Sequence, residues 1–358
     1  EPSACKLTYR VIDGLSRGAA CHLSYLGVGP EMLIPLCFEN SKCALVAMMG
    51  ILRAGAAYVP VHPASPAERM ASIFDEVKAV LILTSRKNYA KRKPLRNQVL
   101  VVDEKLVAEE VLLRNGASTE RVTPQNAMYA ILTSGSTGMP KSVVMSHEAY
   151  CTGLDRHAEV CRFHQGSRIL QFASFAFDSS IGEIMPGLSR GAWICIPCDD
   201  GLRNNLPGHV RREGIDFLSV TPSFAALLGP ESLPSIKRVV LGREPLTDVA
   251  CIANTNATKS TDSSNIGNGY SACCWIVDQD DAERLAPGGA VSELLIEGSI
   301  HARDYLSDAH KAASTWIRPS RWLQKLGPDR GPLLYRTGDL ASFKPMVPSD
   351  WSNAKICR

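Results

Sequence analysis

The chain has 358 residues and a mass of 38.8 kDa, which corresponds to one large domain or two of ordinary size. Hydrophobic residues make up 45% and charged residues 21%, values that exclude intrinsically disordered and fibrous classes. The formal charge of +3 is too small for the basic footprint of a nucleic-acid-binding protein. No apolar stretch approaches the roughly 18 residues of a membrane span, so we expect neither nucleic acid nor membrane as a partner.

The start of the chain and its cysteines bear on the compartment. The chain begins with Glu1 and has no charged-then-apolar leader, which predicts a cytoplasmic protein and, without an initial Met, a piece of a longer polypeptide. The twelve cysteines are scattered, unlike the disulfide framework of a small secreted chain. Cys195 and Cys198 have CxxC spacing, but a zinc site needs further ligands, so we expect buried thiols.

The first predicted elements alternate between helix and strand. Apolar spacing predicts helices over residues 7–26, 41–53 and 66–78, and buried strands over residues 33–38, 58–61 and 79–83. The basic stretch 86–96 predicts a solvated loop. Strands that alternate with helices are typical of a parallel sheet covered on both faces.

The alternation resumes after strands predicted over residues 99–102 and 128–133. Further helices are predicted over residues 148–161, 180–188, 206–213 and 223–228, and further strands over residues 168–172, 192–196, 216–220 and 236–241. The Asn-, Thr- and Ser-rich stretch 254–268 predicts a polar loop. Beyond it, residues 273–277, 293–297 and 333–335 have the composition of strands.

Residues 133–141 (TSGSTGMPK) are the segment best suited to chemistry. After a predicted strand they combine four hydroxyls, two glycines and a terminal cation: Thr133, Ser134, Gly135, Ser136, Thr137, Gly138 and Lys141. Glycines allow a ligand to approach the backbone closely, and N–H groups, hydroxyls and a lysine together bind anions such as a triphosphate. The loop is not a Walker A motif, because Pro140 precedes the lysine. A flexible turn is the disfavoured alternative.

This loop resembles the signature loop of the adenylate-forming superfamily, which includes acyl-CoA synthetases, luciferases and adenylation domains of nonribosomal peptide synthetases. Other landmarks follow in the family's order, namely residues 52–60 (LRAGAAYVP), 177–180 (FDSS), 293–298 (ELLIEG), 302–306 (ARDYL) and 335–340 (YRTGDL). The resemblance covers about residues 5–343 and is of fungal peptide-synthetase type. It implies the large N-terminal portion of the adenylate-forming fold, with stacked α/β subdomains, parallel sheets and a β-rich subdomain, but without the small C-terminal lid domain.

The resemblance also implies an AMP-forming ligase. In that reaction a carboxylate attacks the α-phosphorus of ATP, pyrophosphate leaves, and the adenylate passes to the thiol of a phosphopantetheine arm. The loop residues would hold ATP, Thr137 and Lys141 would act in catalysis, and Thr137 would help to place Mg²⁺. Asp339 would accept hydrogen bonds from both ribose hydroxyls, against the alternative of a solvated turn aspartate.

The same resemblance assigns the substrate site. Asp178 would pair with the α-ammonium of an amino acid, which selects amino acids over plain fatty acids. The alternative for Asp178 is a helix N-cap. Ser179 and Gly182 would line the side-chain pocket. His147 has two interpretations, a core or helix-start histidine and a supporting role near the active site.

Four departures from the family pattern stand out. Ser142 and Arg243 each replace a glycine. The aromatic-Gly-Pro-Thr/Ala-Glu motif, which stacks on adenine and whose Glu holds Mg²⁺, is absent, which indicates an internal deletion near residues 247–260. Residues 344–358 match nothing, and the mobile lid with its catalytic lysine is missing.

The sequence therefore predicts an adenylation core over residues 1–343, followed by an unmatched tail. Its partners would be an amino acid and the carrier and condensation domains of a larger synthetase. Two alternatives remain open. One is a catalytically impaired or dead remnant, favoured by the missing motif and lid, and the other is an acyl- or aryl-acid–CoA ligase, disfavoured by Asp178. The amino acid itself is not determined.

Overall fold

The fold was obtained as a computed structural model. It describes residues 6–89, 98–103, 122–134, 140–197, 199–228, 232–242, 265–267, 272–306, 313–318, 321–326, 333–344 and 355–357. The first group of elements is α1 (Tyr9–Tyr25), β1 (Leu33–Cys37), α2 (Lys42–Arg53), β2 (Ala57–Pro60), α3 (Ala67–Glu76), β3 (Leu81–Thr84), α4 (Arg86–Tyr89), β4 (Gln98–Val101), β5 (Ala127–Ser134) and β6 (Pro140–Ser146).

Two further groups follow in chain order. The second comprises α5 (His147–Val160), β7 (Arg168–Leu170), α6 (Asp178–Ser189), β8 (Trp193–Cys195), α7 (Asp199–Glu213), β9 (Phe217–Val220), α8 (Pro222–Ala226) and β10 (Arg238–Leu241). The third comprises β11 (Asn265–Gly267), β12 (Cys273–Val277), β13 (Ser292–Glu297), β14 (Asp304–Tyr305), β15 (Trp316–Ile317), α9 (Arg321–Gln324), β16 (Leu334–Lys344) and β17 (Lys355–Cys357).

The first sheet has the order β14-β6-β5-β2-β1-β3-β4. Its pairs from β5 to β4 are parallel, whereas β6 pairs antiparallel with β5 and with β14. Side-chain caps start the helices that cover it: the hydroxyl of Thr8 accepts from the N–H of Val11 at 3.3 Å, and that of Ser41 from Ala44 at 3.2 Å. The predicted parallel core is confirmed, but the sequence pattern did not predict β6.

The second sheet, β10-β9-β7-β8, is parallel throughout. The third is antiparallel with the order β11-β17-β16-β13-β12, and β15 pairs beside β16. The core of the first sheet continues into the second unit, because Ile181 and Ile184 of α6 belong to the same buried cluster as α1 and α2. The two α/β units therefore meet at α5 and α6. The expected fold class is confirmed.

Three sequence expectations differ from the structure. The polar loop predicted over residues 254–268 is wrong at β11, where the short run 265–267 is too polar for a period-2 pattern to reveal a strand. The loop predicted over residues 86–96 begins instead with α4. The helix predicted from residue 206 extends back to residue 199, and its break at Asn205 (φ −159°, ψ 66°) explains why the pattern showed only the second half.

Within the described ranges, no helix combines the length and the apolar character needed to cross a membrane. Nor do these ranges contain a group of three or more His, Cys, Asp or Glu side chains able to hold a metal ion. Cys195 lies on β8 as a free thiol, and Cys198 lies outside the described residues.

Candidate active site

A cavity of about 740 Å³ lies between α5 and α6 and the second sheet. Its sheet side is formed where β7, β9 and β10 end, at residues 172–174, 219–221 and 240–242. In parallel α/β sheets, ligands bind at the carboxyl ends of the strands, because the loops there leave a crevice between the helices. The position of the cavity therefore follows from the topology.

Helix α5 presents one face to this cavity. The hydroxyl of Ser146 caps the helix by accepting from the N–H of Ala149 at 3.2 Å. The helix residues that line the cavity recur with helical spacing: Ala149, Tyr150, Gly153, Leu154 and His157. The sequence analysis predicted this helix but did not single out His157. Its spacing of four residues from Gly153 is the signal that could have placed it there.

Helix α6 forms the facing wall and carries the predicted substrate residues. Asp178, Ser179 and Gly182 all line the cavity. The N-cap interpretation of Asp178 is wrong, because the helix begins at Asp178 and the cap position belongs to Phe177, whose side chain cannot accept a hydrogen bond. Asp178 instead stands in the first turn at the exposed rim of the cavity, where the helix N-terminus favours negative charge.

Gly182 and His157 face each other across the two helices. A methyl group at Gly182 would lie 3.7 Å from Cε1 and 3.8 Å from Nε2 of His157. Burial lowers the pKa of His157, and a hydrogen bond with the backbone of Gly182 raises it in part. The imidazole is therefore predominantly neutral at pH 7, and its ring edge borders the space that the glycine leaves.

Glu183 is a second residue that the sequence analysis missed. Its side chain is buried, with 1% exposure, and its carboxyl group accepts from the N–H of Phe172 at 3.1 Å and of Ala173 at 3.2 Å. Burial raises the pKa of this carboxyl to about 8 despite these hydrogen bonds. Glu183 thereby ties the segment after β7, which lines the cavity, to α6.

The signature loop connects two strands that also reach the cavity. Tyr129 of β5 and Met145 of β6 line it, and the strands pair up to Thr133 opposite Lys141 and Ser134 opposite Pro140. The remaining site residues of the loop lie outside the described residues: Gly135, Ser136, Thr137 and Gly138. The role of the loop in binding phosphate thus stays a prediction.

Comparison with known proteins identifies the family. The model of the AMP-binding enzyme family matches residues 3–273. The chain belongs to this family. Fungal relatives include the FR901469 synthetase of Dothideomycetidae sp., 34% identical over 95% of this chain and 2% of that protein. The N-benzoylphenylalaninol synthetase apmA of Penicillium brevicompactum is 35% identical over 96% of this chain and 15% of that protein.

A third relative of this AMP-binding enzyme is the nonribosomal peptide synthetase resC of Aspergillus sclerotiorum, 36% identical over 95% of this chain and 29% of that protein. The chain thus spans between 2% and 29% of the length of these three relatives. Among solved structures, the Klebsiella oxytoca NpsA N-terminal subdomain in complex with 3-hydroxyanthranilyl-AMSN has a TM-score of 0.78 at 20% identity, with 99% of this chain and 93% of that chain covered. This likeness confirms the fold of an N-terminal adenylation subdomain.

Asp339, the residue of this AMP-binding enzyme that is predicted to bind the ribose, lies in the third sheet. Asp339 follows Gly338, whose φ of +72° favours glycine, and its N–H donates to the hydroxyl of Thr337 at 3.0 Å. Asp339 is not among the described residues that line the cavity. Tyr335, which lies four residues before Asp339 on β16, stacks on His301 with the ring centroids 5.9 Å apart, and His301 follows Ile300 of the cavity wall.

The remaining family landmarks are placed as follows. Ser142, which replaces a glycine, is fully buried in β6, and its N–H donates to Glu76 at 3.1 Å. Gly242 lines the cavity, whereas Arg243 and residues 247–260 lie outside the described residues. His147 begins α5, half-buried, and its Nε2 has no hydrogen-bond partner within the described part of the chain. Burial lowers the pKa of His147.

Proposed function

We propose that this chain is the adenylation core of a nonribosomal peptide synthetase. With ATP and Mg²⁺ it converts the carboxylate of an α-amino acid into an aminoacyl-adenylate and releases pyrophosphate. The larger synthetase then passes the aminoacyl group to the phosphopantetheine thiol of a carrier domain. The observation that carries this proposal is the placement of Asp178 at the rim of the cavity between α5 and α6.

The charge of Asp178 suits the α-ammonium group of an amino acid. Most residues that line the cavity are apolar, among them Leu154, Ile181 and Phe217. An apolar surround lowers the effective dielectric, which strengthens an ion pair formed at its edge. A bound amino acid would place its ammonium at Asp178 and direct its side chain past Ser179 and Gly182 into the cavity.

The nucleotide would lie toward the signature loop and the third sheet. Lys141, Thr137 and the other loop hydroxyls would hold the phosphates, and Asp339 would hold the ribose. Mg²⁺ commonly binds substrate phosphates, waters and one or two carboxylates rather than an all-protein cage. The metal would neutralise phosphate charge, with Thr137 as its oxygen ligand.

Amino-acid-dependent ATP–pyrophosphate exchange tests this proposal. We expect exchange with at least one α-amino acid and none with the matched acid that lacks the amine. A hydrogen bond to a charged group contributes about 1.5–3 kcal/mol, so Asp178→Ala should reduce kcat/KM for exchange at least about 10-fold. The matched control is Asp155→Ala, which removes a carboxylate from α5 that is 80% exposed and pairs with Arg190.

Two outcomes would contradict the proposal. A chain that melts cooperatively yet supports no exchange with any acid would be a non-catalytic remnant of the family. Equal exchange with acids that lack the amine, unaffected by Asp178→Ala, would indicate an acyl- or aryl-acid–CoA ligase instead.

A further inference from the structure

The glycines of α5 and α6 differ in how closely their neighbours pack against them. On α6, a methyl group at Gly187 would lie 2.5 Å from Cδ1 of Ile169 and 2.7 Å from Cδ1 of Ile194, so the ends of these two side chains would have to move to admit it. A methyl group at Gly182 would make only ordinary contacts, at 3.7 Å or more, with His157. Packing therefore does not require Gly182, and its effect is to leave space in the cavity.

Gly153 on α5 repeats this arrangement. A methyl group there would lie 3.8 Å from Cγ2 of Ile300, which is again an ordinary contact. Gly153 and Gly182 both line the cavity from facing helices. The cavity of about 740 Å³ lies in the upper half of the range of about 300–1,000 Å³ typical of small-molecule sites. The two glycines thus widen the slot between α5 and α6.

The inner wall of this slot holds few charges. Among the described lining residues, Asp178 is the carboxylate, and it stands at the rim. The remaining titratable groups of the lining are Tyr129, Tyr150 and His157. Burial raises the pKa of both tyrosines and lowers the pKa of the histidine, so all three are predominantly neutral near pH 7. A charged side chain buried there would meet no side chain of opposite charge among the described residues of the inner wall, which is costly.

We infer that the amino acid activated here has a large, mainly apolar side chain of aromatic size, which lies in the slot between α5 and α6 and ends against the imidazole edge of His157. This inference rests on the proposed function, because Asp178 holds the ammonium end. It makes His157 and Gly182 a pair that determines specificity. Gly182 keeps the α6 wall free of a side chain. The ring edge of His157 lies 3.7 Å from the position of a methyl group at Gly182 and offers a surface that suits an edge-to-face contact with an aromatic ring.

Direct binding of aminoacyl sulfamoyl-adenosine analogues to the intact chain tests the inference without requiring turnover. The probes carry tryptophan, phenylalanine, leucine, alanine, aspartate or lysine side chains, and calorimetry gives each Kd. A single methylene in an apolar pocket discriminates by about 10–200-fold, so the tryptophan and phenylalanine probes should bind at least about 10-fold more tightly than the alanine probe. The Gly182→Trp variant should reverse that order, and the Gly182→Ala variant should weaken only the largest probes.

The outcomes separate the inference from the proposed function. Tightest binding of the alanine, aspartate or lysine probe would overturn the inference while leaving amino-acid adenylation in place. Binding of no aminoacyl probe by a chain that melts cooperatively would overturn the proposed function, and the inference with it. If Gly182→Trp does not fold, the order of the Kd values for the unaltered chain and for Gly182→Ala still shows whether the inference holds.

Discussion

Glu183 has a buried carboxyl group that connects α6 to the segment after β7. It accepts backbone N–H groups from Phe172 and Ala173, which follow β7 and border the cavity. Because burial raises its pKa to about 8, the folded chain binds a proton there that the unfolded chain releases near pH 4.5. Glu183 thus couples the stability of the fold next to the cavity to pH.

The sign of this coupling gives a prediction. The contribution of Glu183 to stability is complete below about pH 4.5 and is lost as the pH rises through about 8. The free energy of unfolding should therefore fall by up to about 1.4 kcal/mol per pH unit in this window relative to Glu183→Gln, which stays neutral. Urea unfolding at pH 5, 6, 7 and 8 measures the difference.

The exposed Glu68 of α3 is the matched control, because Glu68→Gln changes the same group in water. Glu68 lies in the first turn of α3, where a negative charge contributes about 0.3–1 kcal/mol, so this variant should differ from the unaltered chain by no more than that at any pH. Parallel curves for Glu183→Gln and the unaltered chain would show instead that the buried carboxyl titrates alike in both states.

At the scale of elements, the close crossing of α1 and α2 depends on a glycine, Gly50. Gly50 of α2 is buried, and a methyl group there would lie 2.7 Å from Cβ of Ala19. The methyl group of Ala19 has no torsion that could move it away, so the helices themselves would have to separate. These helices cover β1 and β2, and their contact sets how the first sheet is enclosed.

Two glycine-to-alanine substitutions test this crossing. Gly50→Ala should destabilise the chain by about 1–3 kcal/mol, because overpacking outweighs the better helix propensity of alanine. Gly14→Ala on α1 should stabilise it by about 0.5–1 kcal/mol, since nothing lies within 4 Å of the added methyl group. Both values come from denaturant unfolding. Equal effects of the two substitutions would refute the close-contact argument.

At the scale of the whole molecule, Glu31 joins segments that are far apart in the chain. The residue precedes β1 with a φ of +65°, and its carboxylate accepts from Asn126 and the N–H of Ala127 at 3.0 Å and from Arg303 at 2.9 Å. These contacts connect the start of β1, the start of β5 and the segment leading into β14. The hydrogen bond from Arg303 is the main cause that lowers the pKa of Glu31 to about 2.

A double-mutant cycle measures this connection. The contribution of Glu31 is present above about pH 4.5 and is lost as the pH falls toward 2, because protonation removes the charge that Arg303 pairs with. Since both side chains are more than a third exposed, the coupling between Glu31→Gln and Arg303→Gln should stay below about 1 kcal/mol at pH 7. It should fall at pH 3. A coupling that is unchanged by acid would argue against an ionic contact.

Much of the fold could be predicted from local patterns. The spacing of apolar residues and the presence of cap residues such as Ser41 predict helices and strands, because both signals act within a few residues. The hydroxyl-rich loop around Thr137 likewise predicted phosphate binding. The position of Asp178 before a helix, in a family motif, predicted the binding of an ammonium group. The strand β6 was missed because its pairing with β5 is a contact between segments, which no single window of sequence displays.

The amino-acid sequence by itself determined the family and the alternating architecture, and it predicted which residues would bind anions and an ammonium group. Only the tertiary structure decided that His157 faces Gly182 and that Glu183 is buried against the segment after β7. Only the tertiary structure showed that Asp178 is not the helix N-cap and lies at the rim of a cavity. Residue types and spacing are local properties of the chain, whereas proximity, burial and the pKa shifts that burial causes arise when distant elements pack together.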